Sequence, residues 1–315
     1  MNQATKRIAV ILLVATICGR AASAPAALFA YRDPARIIPA QSTSRSVPHA
    51  VTFRDVPGRG LLVRTWVNGV GPFNFAIDTG AGATLLSPRV AAEAHVKGNG
   101  RAAAVSGLSG ARGAAYHASL QNLAIGDVEN YLPASGDVLI TPGLPADLDG
   151  VFDPTEVLSP LGYTIDIPRH EFRVFDPNVE GLRKNQTMAG EGAVVAWVRE
   201  SQGRRPFVML DNGDRALIDT GSSLAFAVRD PNAAATRAHT ARDIGGGQIS
   251  TRRGTTATIA IGSLVLRRIP TDFVSGTEAD APVLLGLAAL RPFRLSFDPL
   301  HRLIEISADS NLRRD

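Results

Sequence analysis

From Val51 onward the chain sets short apolar runs between Gly- and Pro-containing breaks. "GLLVRTWVNG", "FNFAID", "ASLQNLAIG", "YTIDI" and "EFRVFD" come first; "VVAWVRE", "PFVML", "RALID", "ATIAIG", "SLVLRRI", "RLSFD" and "RLIEIS" follow. Runs of this length, rich in Val, Ile, Leu and Phe and bounded by turn residues, predict strands. Helical patterning is confined to 87–96, 154–162 and 286–292. The pattern therefore predicts a mostly β protein with few short helices. Residues 25–50 mix Pro, Ser and Arg without a period and predict a flexible lead-in.

The strand pattern occurs twice. "FNFAIDTGAGATLLS" and "RALIDTGSSLAFAV" each carry an apolar approach to Asp-Thr-Gly, at Asp78 and at Asp219. After each come a Gly-rich turn region (106–113; 245–247), a strand closing in Ile-Gly (Ile125-Gly126; Ile261-Gly262) and an apolar pair (Val151-Phe152; Leu284-Leu285). A strand ending in aspartate (Asp166; Asp298) completes each copy. The spacings agree as well: Asp78 to Ile125 spans 47 positions and Asp219 to Ile261 spans 42, while Gly126 to Asp153 spans 27 and Gly262 to Gly286 spans 24. Such internal similarity predicts a duplication, with an N-terminal lobe over 51–176, a connecting segment over 177–192 and a C-terminal lobe over 193–308.

One Asp-Thr-Gly would arise by composition in about one chain in ten of this length, and a lone copy reads best as a side-chain-capped turn. Two copies at equivalent points of a duplication need another account. An apolar strand delivers each carboxylate to the interior, where an ionised group is costly without a partner, and Gly80 and Gly221 permit the backbone turn that presents it. Two carboxylates brought together resolve that cost by sharing one proton. Such a pair can activate a water, one member acting as base and the other, protonated, polarising a carbonyl.

Composition narrows the remaining choices. Basic Lys6 and Arg7, an apolar run from Ile8 to Cys18 and small residues ending Ala22-Ser23-Ala24 have the layout of a secretory signal peptide over 1–24, with a cut between 24 and 30. The run is eleven residues, too short for a spanning helix of about twenty. The expected mature protein is therefore exported, periplasmic or secreted, without a membrane segment. Its only cysteine, Cys18, falls in the expected leader, which leaves no disulfide or thiolate chemistry. Three basic residues and no acidic ones occupy 1–24, so the rest carries 30 basic against 29 acidic. With no basic run, nucleic-acid binding has no support. Only Lys6, Lys97 and Lys184 among the 33 basic residues are lysine, a usage expected of a GC-rich bacterial source. His49, His95, His117, His170, His239 and His301 are scattered without ligand spacing, so neither a metal nor another cofactor is expected. No Gly-x-Ser-x-Gly turn is present to suggest a serine hydrolase.

On these residues the sequence resembles the retropepsin-like and pepsin-like aspartic proteases, whose lobes each show apolar-apolar-Asp-Thr-Gly-Ser/Ala and later an apolar-apolar-Gly. "FAIDTGAGATLLS" and "ALIDTGSSLAFAV" supply the first element, and "VLLGLAALRPFRLSFD", with Gly286, supplies the second. The resemblance covers about 51–306. It implies two β-barrel lobes around a cleft, and a polypeptide substrate cleaved between Asp78 and Asp219. Thr79, Gly80, Ala81, Thr220, Gly221 and Ser222 would support the active-site loops, the two threonines by bonding across the lobes. Ser106, Gly107 and Gly110, and Gly245, Gly246 and Gly247, would form flaps over an extended peptide. As plain sequence both Gly-rich segments also read as ordinary hairpin turns, and one flap or two stays open.

Two departures carry expectations. Asp153 stands where the family pattern has glycine, which implies either exposure by a local rearrangement or drift of the first lobe toward binding without catalysis. Ala81 and Ser222 differ at the fourth position, and a hydroxyl beside a carboxylate favours its charged form, so Asp219 is expected to be the more acidic. The alternatives to a single-chain endopeptidase are a catalytically silent peptide-binding protein on the same fold and a dimer with a different pairing of lobes.

Overall fold

The computed structural model describes residues 47–133, 136–184, 192–198, 200, 204–233 and 238–308. The expected leader with Cys18 and the lead-in as far as residue 46 lie outside the described residues, as do 185–191 of the expected connecting segment.

Strands dominate, as the apolar runs predict. One sheet of nine strands is built from Arg54–Val56 through Gly150–Phe152, and a second of seven from Phe207–Met209 through Val283–Gly286. A third sheet draws six strands from both halves of the chain, in the order Val51–Thr52, Glu171–Phe175, Gly162–Asp166, Phe293–Asp298, Leu303–Ala308 and Gly192–Ala196. Its centre pairs the two repeated closing strands antiparallel, Tyr163 opposite Phe297 and Ile165 opposite Leu295. The Tyr163 and Phe297 rings stack with centroids 4.7 Å apart. Both are fully buried in one apolar cluster that also holds Phe75, Ile77, Ile218 and Leu285. A core continuous through both halves fixes the two Asp-bearing strands relative to each other.

The helices are single turns: Pro88–Glu93, Pro154–Leu158, Pro177–Glu180 and Leu287–Leu290. The first three begin with Pro at the first helical position behind an Asp or Ser cap, a stop-and-start signal that the sequence carries openly. Among the described residues no helix is long and apolar enough to cross a membrane.

The expected barrels do not form; no sheet among the described residues closes on itself. Closure needs the two edge strands of a sheet to pair. Here one edge of each large sheet is instead a hairpin, Gly98–Ser106 with Arg112–Ser119 in the first and His239–Arg242 with Gln248–Ile261 in the second. Each hairpin extends toward the opposite half rather than back to its own sheet, as the contacts of their tips show below.

Candidate active site

In each half the strand ending at the aspartate runs beside a parallel strand from far downstream, which in turn pairs antiparallel with the chain just past the Asp loop. Val70–Ile77 lies beside Gly150–Phe152, itself beside Leu85–Leu86; Arg215–Asp219 lies beside Val283–Gly286, itself beside Phe226–Arg229. The approach residues Phe75, Ile77, Ala216, Leu217 and Ile218 are completely buried, so both carboxylates are delivered to the interior: Asp78 is 1% exposed and Asp219 0%.

The two loops meet and interlock. Thr79 N–H donates to Thr220 Oγ1 at 3.1 Å, and Thr220 N–H donates to Thr79 Oγ1 at 3.1 Å. Each hydroxyl then donates onward, Thr79 to Ile218 O (2.7 Å) and Thr220 to Ile77 O (2.9 Å). The amide and the hydroxyl of both threonines are thereby satisfied, as burial demands. The glycines set the closeness of approach. A Cβ on Gly80 would lie 2.7 Å from Asp219 Cγ, and one on Gly221 would lie 2.2 Å from Asp78 Cγ. Each loop packs its glycine against the other loop's carboxylate, so Asp78 and Asp219 share one small volume.

Within each loop the turn supplies donors. Gly80 N–H reaches Asp78 Oδ1 at 2.8 Å, and Gly221 and Ser222 N–H reach Asp219 Oδ1 at 2.9 and 3.0 Å. Asp219 Oδ2 is buried without a donor among the described groups, and a proton carried by Asp78 supplies one. Burial first, and then the Asp219 charge, push Asp78 well above the usual carboxylate range. Burial also raises Asp219, to about 7, held down there by the Ser222 N–H, the proton offered by Asp78 and the Gly221 N–H. The donor that stabilises the Asp219 charge differs from the expected one. It is the backbone N–H of Ser222 that stabilises the charge, while the Ser222 hydroxyl accepts from Leu224 N–H at 3.3 Å. Ala81, 2% exposed, packs in an apolar cluster beside the first loop.

Asp153 sits where register places it. Phe152 pairs with Ile77 as Leu285 pairs with Ile218, so Asp153 follows beside Asp78 as Gly286 stands beside Asp219. It is not exposed: at 3% accessibility it caps the helix Pro154–Leu158, accepting from Thr155 N–H (2.9 Å) and Glu156 N–H (3.4 Å). Its own N–H donates to Thr84 Oγ1 at 3.2 Å. Burial, then the charges of Glu156 and Asp78, raise its pKa well above normal. At the equivalent place a Cβ on Gly286 would meet Leu224 O at 2.4 Å and Ser222 O at 3.0 Å. Room for a side chain exists in the first half alone.

Both Gly-rich segments are hairpin tips, and the tips touch. Ser106 ends the strand Gly98–Ser106, and Gly107 and Gly110 form the turn, with Gly110 N–H donating to Gly107 O at 3.1 Å. Gly245, Gly246 and Gly247 form the other turn, closed by Asp243 N–H to Gly247 O at 3.0 Å. A Cβ on Gly107 would lie 2.2 Å from Asp243 Cγ, and one on Gly245 would lie 1.9 Å from Ala111 O. No sequence signal marks Asp243, Thr84 with Glu156, or Asp272, whose carboxylate accepts from Ala225 N–H at 2.8 Å. In the sequence an acidic residue that will accept from a distant backbone amide looks like any solvated carboxylate until the fold brings the two together.

Among the described residues no group of three or more His, Cys, Asp or Glu side chains is placed to hold a metal ion. Residues 63–151 match the model of a family described as aspartyl protease. That stretch holds the first Asp-Thr-Gly loop, the first hairpin tip and most of the strand beneath the loop. It supports an aspartyl protease family for this chain. No curated protein matched the chain.

Proposed function

We propose that the chain is an aspartic endopeptidase in which Asp78 and Asp219 act as one proton-sharing pair. The observation that carries this reading is the reciprocal Thr79–Thr220 interlock, which brings two buried carboxylates together from strands 141 residues apart. In the productive state Asp219 is ionised and Asp78 protonated. Asp219 takes a proton from water as the water oxygen attacks the peptide carbonyl carbon, and Asp78 gives its proton to the carbonyl oxygen. Collapse of the resulting diol returns a proton to the departing amine and leaves a free carboxyl group. The fixed N–H donors of Gly80, Gly221 and Ser222 hold both carboxylates in place throughout.

The silent-binding alternative draws little from Asp153, because that side chain is used as a helix cap and leaves the Asp78 loop intact. Export to the periplasm or beyond, action as a monomer, and a lobe boundary within 177–192 complete the proposal. Incubating the full chain with casein at acid to neutral pH, with and without pepstatin, tests it. New peptide termini that disappear with pepstatin are expected; an intact substrate at every pH contradicts it.

A further inference from the structure

The six-stranded sheet has a second face. Along its inner strands alternate residues enter the core: Phe172 and Val174, Tyr163 and Ile165, Leu295 and Phe297, Ile304 and Ile306. Side chains alternate across a strand, so Arg173, Thr164, Ser296 and Glu305 face the other way. Register sets these four side by side in one row across the sheet. They form the floor of a cavity of about 1010 Å³, a size that takes a ligand rather than a single water. One wall is the segment 177–184, fastened by Leu182 N–H to Asp298 Oδ2 at 3.0 Å and by Arg173 to Glu180 at 2.5 Å.

The charges in this cavity do not balance. Glu305 is 7% exposed, yet its carboxylate has neither a donor nor an ion-pair partner among the described residues. Thr164 and Ser296 beside it are bonded to each other, Thr164 Oγ1 donating to Ser296 Oγ at 3.1 Å. Arg294 lines the same space, and Asp166, opposite it in register, is held by Arg169 at 2.8 Å instead. Arg183 and Lys184 on the wall also lack a carboxylate among the described residues, while His301 is bound to Asp298 at 2.8 Å. With Arg173 and Glu180 paired, three cations and one carboxylate are left facing the cavity. A carboxylate this buried is costly until a cation meets it, and unpaired guanidinium groups are strong donors to anions.

We infer that this cavity is a binding site for a short acidic peptide with a free amino end: the ammonium sits on Glu305, and the peptide's carboxylates meet Arg294, Arg183 and Lys184. A simple anion would leave Glu305 unanswered, and a simple cation would leave the three basic groups unanswered. The row from Glu305 to Arg173 spans three strand spacings of about 4.8 Å, about 14 Å in all, which an extended peptide of about four residues covers. The core cluster that holds Ile77 and Ile218 packs on the opposite face of the sheet. The site is therefore separate from the aspartate pair, and the inference does not rest on the protease reading.

Titration calorimetry tests the site without turnover. The full chain carrying Asp219→Asn, so that no cleavage consumes the probe, is titrated with the tetrapeptide Ala-Glu-Ala-Glu at about 0.15 M salt. Binding of one peptide per chain is expected, and the N-acetylated form of the same peptide, which lacks the ammonium, should bind about tenfold more weakly or worse. Adding Glu305→Gln should make the free and acetylated forms bind alike, whereas adding Arg294→Gln should weaken both by about tenfold. The acetylation comparison alone needs no change in the cavity, so it stands even where the Glu305 variant does not fold. No binding of either peptide up to about 1 mM, or equal affinity for the two forms with Glu305 in place, overturns the inference. A folded Glu305→Gln variant that keeps the full preference for the free amine overturns it too. None of these results bears on whether Asp78 and Asp219 cleave a peptide bond.

Discussion

The two Asp-Thr-Gly loops are alike where they touch and unlike where they rest. At the contact the match is atom for atom: threonine hydroxyl to partner amide in both directions, glycine against partner carboxylate in both directions. Beneath, the same backbone needs are met by different parts. Thr84 and Ala225 occupy equivalent places six residues past the aspartates. The Thr84 amide donates to Glu156 of a helix and the Ala225 amide to Asp272 of a strand. Gly286 N–H donates to Ala225 O, whereas Asp153 N–H donates to the Thr84 hydroxyl. The carboxylate pair constrains its contact surface tightly and its foundations only through hydrogen-bond satisfaction, because a buried amide left unpaired is costly whatever the partner's identity.

That asymmetry can be broken by exchange. Gly286→Asp drives a carboxylate against the Leu224 and Ser222 carbonyls and is expected to cost about 4 kcal/mol or more. The reverse change, Asp153→Gly, puts a tolerated residue at a cap position and is expected to cost only about a few tenths of a kcal/mol. Urea unfolding of both variants measures the difference, and equal costs would mean that the two sites are not inequivalent as described. Next in size, Thr220→Val and Thr79→Val each leave a buried amide and a buried carbonyl unpaired, for about 2–3 kcal/mol apiece. Because the interlock is reciprocal, the double variant should cost less than the sum, a double-mutant cycle being the readout.

Stability also has a slope with pH. Asp78, Asp153, Glu156 and Asp219 are all raised by burial in the folded state. Groups raised in this way favour the fold while protonated, so their contribution is complete below the ordinary carboxylate range and is lost as pH climbs through the folded values, about 7 for Asp219. For Asp219 stability should fall from about pH 4 to about pH 7, by about 1.4 kcal/mol per pH unit for a proton that the folded state still holds and the unfolded chain has lost. Asp219→Asn should flatten part of that fall. Cleavage should rise toward neutral pH as Asp219 ionises, and fall again when Asp78 loses its proton.

The sequence made the site legible because the chemistry repeats. Asp78 and Asp219, their threonines and glycines, the strands that carry them and the equivalence of position 153 with Gly286 all follow from two similar runs of residues. What stayed hidden depends on distance along the chain. The six-stranded sheet mixes 51–52, 162–175, 192–196 and 293–308, and no local pattern specifies such pairing. The strands Gly98–Ser106 and Arg112–Ser119 are rich in Ala and Gly, so they lack the apolar period that marks the others. The residue type at Ser222 points to its hydroxyl, whereas the turn supplies its backbone amide. Open sheets stand where barrels were expected because the edge hairpins spend their length on the opposite half.

The central claim is that one proton and two aspartates make one site. Cleavage of a single peptide, measured from pH 4 to 9 for the parent, Asp78→Asn and Asp219→Asn, tests it most directly. Loss of about a thousandfold or more in both variants is expected, since general acid and general base are each removed, with both variants still folded by the coincidence of their far-ultraviolet spectra with the parent's. A folded variant of either aspartate that cleaves at the parental rate would contradict it.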